Sequence, residues 1–335
     1  MLLIISEEVP TVGEIMKWLD AYGVPFRRFN HSDRAIQDLS IHIDRDGTDV
    51  VLSNEDGSLD LEGITACFTR HGYLAYRPFP RFLRDSEFPE LHDNIRTQHE
   101  TIERFLYHRI RHRVGGIGYA PAQDANKLIA LKAAADHGLA VPDTLVTSSR
   151  EALLHFARKH EAIVCKSVQN VVHLAREDEV HINYTEVLPV SMIPALPERF
   201  FPSKFQELIP KRFEVRTFYL DGECHSMAIF SQRDEQTKVD FRKYNDVHPN
   251  RYAPFKLPPD IEAKLDAVMR ELGLDTGSID LIRSVNGEFV FLEVNPVGQF
   301  GMVSYPCNYG LEERMAKALM QRMGHATKQN LEQRA

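Results

Sequence analysis

The sequence predicts an α/β chain that turns α+β in its C-terminal part, and three observations carry that prediction. Near the N-terminus an apolar run, LLIIS, is followed by the amphipathic stretch VGEIMKWLDAY, which closes at Gly23, and then by FRRF beyond Pro25. This is a strand, a helix and a strand, the start of a βαβ unit. Late in the chain two apolar runs flank Asn286-Gly287 in GSIDLIRSVNGEFVFLEVNP, the pattern of an antiparallel hairpin. The chain has 335 residues, 43% of them hydrophobic, enough for two or three domains and a sizeable core.

After the βαβ start, IHIDRDGTDVVLS alternates about Asp46-Gly47 as a hairpin, and ITACF reads as a further strand. From Ser86 to Arg113 there is no glycine, and the one proline, Pro89, falls in the first turn. One long helix is expected there, closed by Gly115-Gly116, which mark the end of an N-terminal domain over 1–116. Asp124 is the expected N-cap of a helix through ANKLIALKAAADH, stopped by Gly138 and Pro142. DTLVT is a strand, Ser148 or Ser149 caps a helix to His160, and AIVCK is a short buried strand ending in Lys166. The proline-rich VLPVSMIPALPERFFP closes a central subdomain over 117–200. A C-terminal subdomain over 201–326 takes the strand KFQELI, a hairpin about Asp221-Gly222, the hairpin about Asn286-Gly287 and a last helix, and 327–335 form a polar tail. Glu312 and Glu313 in the first turn of that helix, with Arg322 and His325 near its end, suit its dipole.

Composition narrows the function. The formal net charge of -8 argues against general nucleic-acid binding. No run of about 18 apolar residues occurs, so no membrane span is expected, and MLLIISEEVP lacks the basic start of a secretion signal. Cys67, Cys165, Cys224 and Cys307 lie far apart, with neither metal-ligand nor redox spacing. A reduced cytoplasmic protein is the expectation. RFLYHRIRHR is a local exception to the acidic balance. Its Arg104, Arg109, Arg111 and Arg113 predict a positive helix face able to steer an acidic peptide.

The residues suited to chemistry gather in the second half. Strand periodicity puts Glu293 and Asn295 on one face. If Asn286 and Gly287 form a two-residue turn, Val285 pairs with Glu288, Asp280 falls opposite Glu293, Asn295 lies diagonally from it, and Ile282 and Phe291 flank the pair. Two opposed carboxylates repel unless a cation lies between them. An all-oxygen set of Asp280, Glu293 and Asn295 suits Mg²⁺ or Mn²⁺ held with substrate phosphates. Removing either charge should then stabilise the ligand-free protein. Lys166 ends an apolar strand and Lys127 sits in the first turn of a helix, where a cation opposes the dipole, and both placements suit a phosphate. In KRFEVRTFYLDGE, Glu214 and Arg216 share a strand face, and the arginine fork can grip a phosphate or acyl phosphate. SQRDEQTKVDFRKYN adds Arg233 and Arg242, either of which could close over an anion.

The order of these features, a βαβ domain, NK on a helix, a strand ending VCK, QELI followed by E-x-R, then a hairpin with E-x-N, resembles the ATP-grasp superfamily. More narrowly, GLAVPDTLVT, EVRTF, SQRDEQTKVDFRKYN and FLEVNPVGQFGMVSYPCNYGLEERMAKAL are similar to the peptide maturases of grasp-with-spasm systems, relatives of the microviridin ligases that make graspetides. The resemblance covers nearly the whole chain. It implies an ATP-grasp fold with an N-terminal pre-ATP-grasp domain, Lys127 and Lys166 on ATP phosphates, and Gln206, Glu207, Leu208 and Ile209 at the adenine. It also implies Glu214 at the nucleotide, Arg216 on the transferred phosphoryl group, and Asp280, Glu293 and Asn295 on Mg²⁺, with two ions and Mn²⁺ as a substitute. The implied partner is a ribosomally made precursor peptide with a leader and an acidic core containing Ser/Thr or Lys, and a homodimer is one arrangement of the enzyme. The implied reaction is ATP-dependent joining of Asp or Glu side chains to hydroxyls or amines. A ligase joining a free amino acid to a carboxylate, or a non-catalytic nucleotide-binding module, are the alternatives. The segment SVQNVVHL after Lys166 departs from the family in having no glycine, which leaves open which amides meet the phosphates.

Overall fold

The computed structural model describes residues 1–7, 9–75, 89–118, 126–168, 173–176, 179–182, 185–234, 236–243 and 247–332. The chain forms two compact units. One comprises Met1–Asp124, Gln299–Gly301 and Gly310–Ala335, the other Ala125–Gly298 and Met302–Tyr309.

In the first unit, β1 (Leu2–Ser6), β2 (Phe26–Phe29), β6 (Ala66–Arg70) and β7 (Gly115–Ile117) form a parallel sheet in the order β2-β1-β6-β7, with α1 (Pro10–Ala21) crossing from β1 to β2. Leu2, Leu3, Ile4 and Ile5 are all fully buried, as a parallel strand covered on both faces requires. A separate antiparallel sheet follows, β3 (Asp38–Ile43), β4 (Thr48–Asn54) and β5 (Gly57–Asp60), the hairpin expected about Asp46-Gly47 plus one strand. The long helix α2 is described over Pro89–Arg113, residues 86–88 lying outside the described ones. The glycines that close it also open β7. A Cβ on Gly116 would stand 2.7 Å from Cys67 O, so the close approach of β7 to β6 needs glycine there. The last helix of the chain, α7 (Leu311–Glu332), packs on α1, β6 and β7 and runs through most of the expected polar tail, of which 333–335 lie outside the described residues.

The basic face expected on α2 is partly spent inside this unit. Arg109 and Arg113 both turn to Glu62, at 2.7 and 2.5 Å, and Arg113 also bonds the Glu62 carbonyl. They clamp the turn Leu61–Gly63 against the helix and do not form an open cationic surface.

The second unit carries the chemistry. α3 (Lys127–Asp136) is capped by Asn126, whose Oδ1 accepts from the amides of Leu128 and Ile129 at 2.9 and 3.2 Å; the expected cap, Asp124, lies outside the described residues. β8 (Thr144–Ser149) leads into α4 (Arg150–Ala157), capped by Ser149. β9 (Ile163–Lys166), the hairpin β10 (His173–Arg176) and β11 (Glu179–Ile182), β12 (Glu186–Leu188) and β13 (Arg199–Glu207) follow. β12-β9-β13-β8 is one antiparallel sheet. The other is β16-β15-β14-β17-β18, made of β14 (Lys211–Leu220), β15 (Glu223–Phe230), β16 (Arg251–Phe255), β17 (Thr276–Ser284) and β18 (Phe289–Asn295). The β14–β15 turn has Asp221 and Gly222 at φ 52° and 99°, the pair of left-handed residues that an Asp-Gly hairpin favours. A 3-10 helix, Val190–Ala195, joins β12 to β13, and α5 (Pro259–Glu271) and α6 (Gly301–Cys307, of which Gly301 belongs to the first unit) are the remaining described helices.

Candidate active site

The carboxylates of the late hairpin meet as the sequence predicts, but by a different route. Asp280 pairs directly with Glu293. The turn, however, takes three residues. Gly287 N–H donates to Ser284 O at 3.0 Å and Ser284 N–H to Glu288 O at 2.9 Å, leaving Val285, Asn286 and Gly287 as the loop, with Gly287 at φ 90°. The added residue is offset by a bulge between Asp280 and Leu281, where Leu292 has no partner across the ladder. Ile282 therefore faces Val290, and Phe291 pairs with Leu281 instead of flanking the carboxylates.

Each carboxylate has its own cation. Arg216, opposite Asp280 on β14, reaches both carboxylate oxygens from one terminal nitrogen, at 2.8 and 2.7 Å. Lys127 Nζ lies 3.0 Å from Glu293 Oε2, so this anion offsets the lysine's unfavourable place at the helix start. Burial pushes the Asp280 pKa above the usual carboxylate range against the pull of Arg216. At Glu293 burial acts the same way but is outweighed by Lys127, Lys166 and Arg242, and the pKa is lowered. The expectation that losing either charge stabilises the ligand-free chain took no account of Lys127, which partners Glu293 and favours its ionised form.

Lys166 lines the same cavity and faces Lys204 directly across the β9–β13 ladder. The sequence reading passed over Lys204, which stands one turn of the strand period before Gln206 and is only 3% exposed. Its signal was a lysine inside an apolar strand, the same feature that singled out Lys166. Burial lowers the pKa of both, that of Lys204 to about 8.

Glu214 is buried between Lys211 and Ser231, whose hydroxyl donates at 2.6 Å, and burial raises its pKa. Glu207, Leu208 and Ile209 line the cavity, whereas the Gln206 side chain donates to Thr144 Oγ1 at 3.0 Å. The Leu208 amide is taken by Ala162 O at 2.9 Å. Of the two arginines in the polar segment, Arg242 lines the site and Arg233 lines a different cavity. Arg242 is held by Asp240 at 2.8 and 2.6 Å, a pairing that outweighs burial and keeps the Asp240 pKa at about 2. Asp240 also accepts the Thr185 amide at 3.3 Å, and Lys243 reaches Glu186 at 2.6 Å. Residues 239–243 thus strap the cavity from one sheet to the other. Of the glycine-free segment, 169–172 lie outside the described residues.

The Asn295 amide oxygen accepts the Val297 N–H at 3.2 Å, which leaves it a second lone pair. The turn that follows brings Gly298 against β17 and β14: a Cβ there would stand 2.5 Å from Ser278 Cβ and 3.0 Å from an Arg216 terminal nitrogen. Arg216 Nε is buried without a hydrogen-bond partner. Asp280, Glu293 and Asn295 offer the hard oxygens that Mg²⁺ prefers. Among the described residues no cluster of three or more His, Cys, Asp or Glu would hold a metal by itself, so phosphate oxygens would have to complete its shell.

No protein-family model matches the sequence, and no curated relative does. Solved structures do match. A RiPP-associated ATP-grasp ligase from Chryseobacterium gregarium, in complex with ADP and a leader and core peptide, is 21% identical, with 96% of each chain covered and a TM-score of 0.79. The macrocyclase MdnC from Microcystis aeruginosa, bound with precursor peptide MdnA, is 22% identical over 96% of this chain and 99% of that one, with a TM-score of 0.74. The ATP-grasp ligase PsnB, complexed with minimal precursor, Mg and ADP, is 18% identical over 96% of each chain, with a TM-score of 0.71. No helix among the described residues is long and apolar enough to cross a membrane. With a parallel N-terminal sheet followed by two antiparallel sheets that hold lysines and carboxylates around one cleft, the chain has the ATP-grasp fold.

Proposed function

We propose that the chain is an ATP-dependent peptide macrocyclase of the graspetide type, which joins Asp or Glu side chains of a precursor peptide to Ser/Thr hydroxyls or Lys amines. One observation carries the reading. Cations and a directly opposed carboxylate pair share a single cleft, in a fold whose near-full-length matches include ligases bound to ADP and peptide. The precursor would be recognised through a leader and modified in its core, as the Chryseobacterium complex suggests by containing both.

In this reading a peptide carboxylate oxygen attacks the γ-phosphorus of ATP, the bond to the β-phosphate oxygen breaks, and ADP leaves. The acyl phosphate is then attacked at carbon by the hydroxyl or amine, which loses its proton as phosphate departs. Lys127 and Lys166 hold phosphate oxygens and Glu207–Ile209 contact the base. Arg216 directs its Nε and fork at the transferred phosphoryl group, where fixed donors stabilise developing charge. Asp280, Glu293 and Asn295, with the nucleotide, would hold Mg²⁺, which would neutralise phosphate charge. Coexpression with a candidate precursor, read by mass spectrometry, tests the proposal: loss of one water per cross-link supports it. ATP-dependent addition of a free amino acid, or nucleotide binding with no ADP release in the presence of peptide, would refute it.

A further inference from the structure

Among the described residues six cations gather at the cleft besides the strap's Lys243, which reaches Glu186, and their partners can be assigned one by one. Lys127 pairs with Glu293, Lys211 with Glu214, Arg216 with Asp280 and Arg242 with Asp240. That leaves Lys166 and Lys204. Among the described residues neither ammonium has a carboxylate at ion-pair distance, although Lys204 is buried to within 3% of full exclusion from solvent. They are also register partners, Lys204 to Lys166 across β9 and β13, so two like charges face each other on one sheet surface. Such a pair is destabilising in the free chain. Burial, and then Lys166 and Lys127, disfavour the charged form of Lys204, and Glu293, the strongest of the charges acting on it, compensates only in part.

A pair of facing ammonium groups on the wall of a cavity, one of them buried and neither with a carboxylate at ion-pair distance, is explained by an anion carrying more than one charge. We infer that Lys204 is a phosphate-binding residue, which with Lys166 forms a two-ammonium clamp for the phosphate oxygens of the nucleotide. The inference rests on the nucleotide-binding part of the proposed function and adds to it a residue on the strand that leads into the base-contacting segment. Lys204 is three residues before Glu207 on the same strand, so one strand carries a phosphate contact at Lys204 and the segment for the base at its end. Adenine and phosphate sites are thereby held at a fixed spacing by a single extended backbone, about 10 Å over three residues at the rise of a β-strand.

The test compares Lys204→Met and Lys204→Arg with the wild-type chain, titrated calorimetrically with ADP and with adenosine, and melted without ligand. Lys204→Met should weaken ADP by about 10–100-fold, the size of one lost charge-assisted hydrogen bond, leave adenosine affinity unchanged, and raise the ligand-free melting temperature. Lys204→Arg should retain most of the ADP affinity. If Lys204→Met does not fold, Lys204→Gln, which keeps a polar head, takes the same measurements. Wild-type ADP affinity in the Met or Gln variant, or a parallel loss of adenosine and ADP, would overturn the assignment of Lys204. Failure of the wild-type chain to bind ADP at all would instead overturn the nucleotide reading beneath it.

Discussion

Replacing Glu293 by Gln removes the anion around which much of the cleft's positive charge is arranged, and the ligand-free protein should lose stability as a result. Lys127 stands 3.0 Å from the carboxylate, with both side chains largely buried. At an effective dielectric constant of about 20 the attraction is roughly 5 kcal/mol. Part of that is cancelled by the cost of taking both charges out of water, and the glutamine oxygen can still accept a hydrogen bond. A net loss of about 3 kcal/mol is therefore expected, at the lower end of what breaking one partner of a buried pair costs. The unit that holds the site has about 180 residues, so its melting temperature should fall by roughly 6–12 °C. The pH dependence gives an independent check. Glu293 has a lowered pKa in the folded chain, so its contribution is present above the unfolded value and is lost as pH falls through the folded one. Asp280 has a raised pKa and acts in the opposite sense, its ionised form being the less favourable one at neutral pH. The Glu293→Gln protein should thus show a flatter acid limb than wild type, while Asp280→Asn should change neutral-pH stability by less than about 1 kcal/mol, because the asparagine oxygen still accepts from Arg216. Both variants should lose ADP release. An unchanged or raised melting temperature for Glu293→Gln would refute the assignment of the stabilising charge.

Arg216→Lys should reduce turnover by at least about 100-fold with the fold retained, since a lysine cannot present both the fork and the Nε donor; near-normal single-turnover rates would contradict a contact with the transferred group. Gly298→Ala should displace Arg216 and destabilise the unit by about 1–3 kcal/mol, and adding Ser278→Gly should recover part of the loss, which a double-mutant cycle of melting temperatures will show. Asp240→Asn weakens the strap and should speed nucleotide association in stopped flow; a rate equal to wild type would mean that residues 239–243 do not limit entry. In the other unit, Glu62→Gln should cost about 1–3 kcal/mol through the loss of its bonds to Arg109 and Arg113, measured by chemical denaturation, whereas an indifferent variant would show that the clamp carries no load.

Much of the architecture was legible because local signals agreed with one another. The buried run LLIIS, the Asp221-Gly222 turn and the helix capped by Ser149 each follow from a pattern spanning only a few residues. The failures share a different origin. Gly115 and Gly116 do stop the helix as expected, but only the tertiary approach of their backbone to Cys67 makes them a strand as well. Arg109 and Arg113 look like a solvated stripe because Glu62, far away in the sequence, is invisible to helical periodicity. Lys204 escaped notice for a related reason. Its importance comes from facing Lys166, and that pairing is a property of the ladder between β9 and β13, not of either strand alone. The opposed Asp280 and Glu293 could be read because both strands of their ladder are joined by one short turn.

That hairpin also shows how a reactive pair can be insulated from the loop that seems to set it. A two-residue turn without a bulge and the observed three-residue turn with one both bring Asp280 opposite Glu293, and they differ only in the half of the ladder nearer the tip. Val285 and Asn286 are exposed there. Loop length and bulge can therefore vary together while the site end of the ladder stays in phase, provided that the Val285 backbone keeps its bonds to Pro210 O and the Arg212 guanidinium.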